Sequence, residues 1–173
     1  MQAKSKIALN TIVLYLKLLI SIACSLISTR WVLEALGSED FGVYNLVAGI
    51  IAMFSFLNSS MSAATQRFLS IAAGKSKPIE VHKIFVCSLY LHLFIAILVL
   101  LLFELGGLYL INNVMVIPNS KYDDALIVLH FMSISSFFTI ISAPYQAAIT
   151  THEALHIYAF TGVLESICKL LVA

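Results

Sequence analysis

The sequence predicts an all-α fold: a polytopic membrane bundle of five transmembrane helices. Three observations predict it. The 173 residues are 61% hydrophobic and only 11% charged, whereas a soluble domain carries about 25% charged residues. The apolar residues gather into stretches at 7–33, 41–72, 84–111, 125–149 and 154–173, each near or above the roughly 20 residues that cross a bilayer. The charges collect between these stretches, and no stretch shows the alternation of an outer-membrane strand.

The first stretch, 7–33, is longer than the apolar region of a cleaved leader and has no small-x-small site after it, so it reads as a retained span. Residues 34–40 (EALGSED) form an acidic turn around Gly37. The second stretch, 41–72, begins apolar and becomes polar while keeping helical spacing. The third contains only Ser88 and His92 as polar interruptions between Ile84 and Phe103. Gly74 with Pro78 precedes it, and Pro118 with Asn119 follows it, as turn residues do. The fourth carries Pro144 within SAPYQAA, which removes a backbone hydrogen bond and predicts a kink suited to gating. The fifth still runs apolar at its last residues, LESICKLLVA. That predicts a chain ending within or just after helix 5 of a longer protein. Short connections make successive helices antiparallel neighbours.

The charge distribution predicts orientation. With the N-terminus inside, Lys4, Lys6, Lys17, Arg67, Lys75, Lys77 and Lys83 lie on or toward the inner side, and Arg30, Lys121 and Lys169 on the outer. That asymmetry follows the positive-inside rule, and Trp31, Tyr44, Tyr109 and Tyr122 fall near the outer boundary as interfacial rings do.

Polar residues inside the spans carry the functional signal. Asn45, Ala48, Ala52, Ser55, Ser59, Ser62 and Gln66 recur at steps of three and four, as do Asn10, Lys17, Ser21, Cys24 and Ser28, so each set is expected to share a helix face. One reading is close helix packing through small and hydroxylated residues. The other is the wall of a water-accessible cavity, with Asn45, Ser59, Gln66, Lys17, Arg30 and Arg67 as substrate-facing candidates. Lys17 lies about 15 Å into helix 1 at ~1.5 Å per residue. It must face a cavity, find a partner or snorkel inward. Arg67 is either an inner-end anchor or a gate contact.

Glu165 and Lys169 are spaced i, i+4 in the favourable order, as a self-neutralising pair or as a coupling site on a pathway. His92 and His130 are interhelical hydrogen-bonding residues or proton carriers. Cys24, Cys87 and Cys168 show no ligand spacing, and no metal or cofactor site is expected. No nucleophile elbow or acid–base constellation suggests an enzyme, and no basic patch suggests a nucleic-acid partner.

Several stretches together carry a family resemblance: NTIVLYLKLLISIACSLISTRWVLEALG, LGSEDFGVYNLVAGI, SAATQRFLSIAAGK, GLYLINNVMVIP and ISAPYQAAITTHEALHIYAFTGVLESICKLL. They resemble the N-terminal region of bacterial polysaccharide flippases, the O-antigen and lipid-linked oligosaccharide exporters of the multidrug/oligosaccharidyl-lipid/polysaccharide superfamily. The resemblance implies a partial N-terminal lobe of a MATE-like, two-lobed transporter of the bacterial inner membrane, with a C-terminal lobe as partner. It implies alternating access of an undecaprenyl-pyrophosphate-linked glycan, for lipopolysaccharide or related polysaccharide synthesis. Lys17, Arg30 and Arg67 match the family's basic positions, with Lys17 standing where the family usually has Arg. A cation-coupled multidrug exporter and a nonfunctional membrane fragment are the alternatives.

Overall fold

The computed structural model describes residues 2–75, 77–152 and 154–172; the side chains of residues 2–9, Ser55 and Asn119 fall outside the described set. Lys4, Lys6 and Ser55, used above for orientation and for the helix 2 stripe, therefore lie outside the described side chains. The described chain is helical: α1 (Gln2–Ala52), α2 (Ser55–Gly74), α3 (Pro78–Asn113), a 3-10 turn η1 (Asn119–Lys121), α4 (Tyr122–Thr151) and α5 (Leu155–Val172). Four helices are long and apolar enough to cross a membrane, at 10–52 within α1 and in α3, α4 and α5.

Two boundaries differ from those read in the sequence. The seven-residue turn at 34–40 is reduced to one residue. Gly37 takes φ 76°, ψ 173° and interrupts an otherwise helical run. Only glycine enters that region without strain, so one residue does the work expected of a loop. The expected span 41–72 is not one helix. Met53 and Phe54 break it, with the Phe54 N–H donating to Ile51 O at 3.1 Å and the Leu57 N–H to Phe54 O at 3.1 Å. These are three-residue returns of the 3-10 kind. No Pro or Gly stands at the break. Phe54 instead turns its ring edge-on to the buried Phe103, centroids 5.0 Å apart, a tertiary contact that helical periodicity does not register.

The chain forms two compact units, residues 1–38 with 152–173, and residues 39–151. The first is a helix pair, the first limb of α1 with α5. In the second, α2, α3 and α4 pack on one another. Val43, Val47, Ile111, Ala125 and Leu129 form one buried cluster, and Ile50, Ala96, Val99, Phe103 and Ile140 another. Gly107 lets α3 approach α4 closely, since a methyl there would lie 2.6 Å from Leu129 Cδ1. At the helix ends, Lys121 pairs with Asp40 at 2.6 Å. The close carboxylate raises the Lys121 pKa. Pro78 opens α3 at a position where its missing N–H costs nothing.

α4 continues through Pro144 to Thr151, with the proline ring buried. Pro144 offers no N–H to the carbonyl four residues back.

Candidate substrate groove

The helix pair gathers three of the ionisable residues singled out in the sequence. Lys17 and Ser21 stand one turn apart on the first limb of α1. Tyr158, Gly162, Glu165, Ser166 and Lys169 recur on α5 at steps of three and four, which makes one face. Between the two faces runs a groove of about 540 Å³ lined by these residues together with Leu14 and Leu18.

Each side chain in the groove is placed by a specific contact. Lys17 Nζ sits 3.6 Å from the centroid of the Tyr158 ring, a cation–π contact worth about 0.5–2 kcal/mol depending on desolvation. Gly162 makes room for it, because a methyl there would collide with Lys17 Cε and lie 2.7 Å from Nζ. The Ser166 hydroxyl donates to Gly162 O at 2.8 Å. It therefore accepts from Ser21, whose Oγ is 2.8 Å away, and ties the two helices together. Lys169 Nζ lies 2.6 Å from Glu165 Oε1, and both side chains remain well exposed. With two lysines and one glutamate the groove carries a formal charge of +1.

A positive groove with hydroxyls and an aromatic wall suits an anionic group with an attached polar body. Lys17 is half-buried rather than free in the lipid phase, and its aromatic partner satisfies the need for a partner at depth. Tyr158 and Gly162, which set its position, were not singled out in the sequence. The signal for them was there in the α5 spacing, since both share a face with Glu165 and Lys169.

The other candidates lie elsewhere. Arg30 is exposed and bonded to Glu34 at 2.8 Å on its own helix, so it takes no part in the groove. Asn45, Ser59, Gln66 and Arg67 belong to the unit 39–151. The break at 53–54 separates Asn45 from Ser59 and Gln66, so the expected single stripe is not one helix face. Asn45 Nδ2 donates to Phe41 O at 2.8 Å, and the Ser59 and Ser62 hydroxyls bond back to carbonyls of Phe56 and Asn58. That is the pattern of hydroxyls satisfying themselves within a helix. Arg67 is exposed and Gln66 half-buried.

The two histidines have different surroundings. His92 is fully buried and donates from Nδ1 to Ser88 O at 2.8 Å. Ser88 in turn bonds Thr65 of α2 at 2.7 Å. His130 Nδ1 lies 2.7 Å from Glu104 Oε2 across the α3–α4 contact. Glu104 is a membrane-segment carboxylate that the sequence reading passed over. It stands one residue beyond Phe103, inside the expected span 84–111, and its partner is 26 residues away. Among the described residues no cluster of three or more His, Cys, Asp or Glu side chains converges on a metal position.

Helices of this length and apolarity define the class: a multi-pass α-helical membrane protein. The chain is similar to an uncharacterized membrane protein, EpsK, of Bacillus subtilis (strain 168), with 27% identity over 154 residues. That match takes in 88% of this chain but spans only 30% of the relative's length. No protein family profile and no solved structure matches the chain.

Proposed function

We propose that the chain is the N-terminal part of a flippase for lipid-linked oligosaccharides in the bacterial cytoplasmic membrane, with its N-terminus in the cytoplasm. One observation carries the reading: Lys17, fixed over Tyr158, faces a polar groove that also holds Lys169. A diphosphate headgroup leaving water needs positive potential where the dielectric is low. An ammonium already anchored by a ring meets that need without first being brought in from solution. The sequence resemblance supplies the substrate class, and the similarity to a much longer membrane protein supports a larger parent with further helices.

The test is export of the glycan by the complete protein in its own host. Lys17→Ala should reduce export about tenfold, the loss of one charge-assisted contact, with unchanged membrane levels. Lys17→Arg should retain most of it. Wild-type export by Lys17→Ala would sink the proposal.

A cation-coupled multidrug exporter is the second reading, favoured by the Glu104–His130 pair, since such proteins rely on membrane carboxylates. Dye efflux by the complete protein, abolished by collapsing the proton or sodium gradient and by Glu104→Gln, would support that reading instead.

A further inference from the structure

The break at 53–54 does more than shorten a helix: beside it lies a cavity of about 240 Å³ wholly within the unit 39–151. Its apolar walls are Phe54, Val99, Phe103 and Ile140, the last three buried. Its polar side is Asn58 of α2 with Ser135 and Ser136 of α4. Asn58 Oδ1 is buried and has no hydrogen-bond partner among the described residues. Its Nδ2 and the Ser135 and Ser136 hydroxyls donate to no described residue either.

A buried carbonyl oxygen without a partner is unfavourable, and here Asn58 Oδ1 borders an apolar space. It asks for a donor, which a hydroxyl supplies. No charged side chain lines the cavity, so a charged ligand would be left uncompensated. The volume is below the roughly 300–1,000 Å³ of sites for drug-sized molecules.

We infer that this cavity binds a small neutral apolar molecule bearing one hydroxyl, the class of hydrophobic alcohols. Asn58 pairs with the hydroxyl, and the Phe54 and Phe103 rings pack its hydrocarbon body. The site shares no residue with the Lys17 groove and stands or falls apart from the transport reading.

The experiment uses the full chain in lipid nanodiscs, with Cys24, Cys87 and Cys168 replaced by Ser and Thr139→Cys as reporter. Thr139 lines the same cavity. The rate of maleimide labelling is measured with benzyl alcohol and with toluene at equal concentrations in the lipid phase. Benzyl alcohol should slow labelling about fivefold and toluene less than about twofold, the difference one hydrogen bond makes. Asn58→Leu should erase that difference. Equal protection by toluene, no protection by either, or a difference that survives Asn58→Leu would each overturn the assignment. Should Asn58→Leu not fold, Ser136→Trp fills the cavity from α4. Benzyl alcohol must then lose its effect, and retained protection would overturn the site equally.

Discussion

The two units are built on opposite principles. Residues 39–151 are held by apolar interdigitation: Val47, Leu129 and Phe103 are buried to 1% exposure or less, and Gly107 removes the last obstacle between α3 and α4. The helix pair of residues 1–38 and 152–173 has almost nothing of this kind. Ala159 is its one buried hydrophobic residue among those described, and its specific contacts are Ser21–Ser166 and Lys17–Tyr158. A bilayer supplies no hydrophobic force between helices, because lipid is as apolar as leucine. The well-packed unit therefore relies on shape and the pair on polar contacts. The unit with little packing carries the groove.

The largest test of this contrast is a pair of truncations. Leu129→Ala should cost about 2–5 kcal/mol, the range for a fully buried leucine that leaves a cavity. Leu18→Ala, half-exposed on the helix pair, should cost under about 0.5 kcal/mol, as exposed positions do. Thermal unfolding in a fixed detergent measures both. Similar losses would mean that the pair is packed as tightly as the unit 39–151.

Next in size is the joint at Gly37. Alanine there meets no neighbour within 4 Å, so its effect is purely one of backbone conformation. A non-glycine residue held at such a positive φ costs of order 1–3 kcal/mol. Gly37→Ala should lower stability by about that amount, and Gly42→Ala, also in open space but without positive φ, should not lower it. If the two variants unfold together, the joint is not strained for side chains.

These joints show what was legible in the sequence. The all-helical membrane class followed from apolar length, and the turns at Gly37, Pro78 and Pro118 from backbone sterics, because desolvation and sterics are local. The break at 53–54 was not legible. AMFSFL contains no helix breaker, and the ring contact found at the break is with Phe103, 49 residues on. In the groove, Lys17, Glu165 and Lys169 were legible as charges in apolar surroundings. Tyr158 and Gly162 were not, since an aromatic and a glycine in a membrane helix are ordinary until a lysine from another helix is seen to rest on them. The polar stripe on helix 2 left two readings open for the converse reason: hydroxyls that bond their own backbone look the same in sequence as hydroxyls facing a cavity.

A smaller perturbation separates position from stability in the groove. Gly162→Ala displaces the flexible end of Lys17, which can swing aside cheaply, so unfolding should shift by less than about 1 kcal/mol. If placement of the ammonium over Tyr158 matters, substrate transport by the complete protein should still fall severalfold, on the scale of a lost cation–π contact of about 0.5–1 kcal/mol. Unchanged transport would show that the charge alone suffices.

The smallest expected effect concerns the Lys121–Asp40 pair, which belongs to the unit 39–151 yet is polar. The Asp40 carboxylate, 2.6 Å from the Lys121 ammonium, holds its pKa above the ordinary 10.5. A group whose pKa is raised on folding adds stability below its unfolded pKa, and loses it as pH rises through the folded value. The contribution is therefore constant across neutral pH and fades only above 10.5. The pair is half-buried, so salt should weaken it only in part. Lys121→Met should flatten the decline of stability above that pH while leaving the groove variants unaffected at pH 7. A loss of stability at pH 7 as large as that of Leu129→Ala would mean that the unit 39–151 depends on this ion pair as much as on its packing.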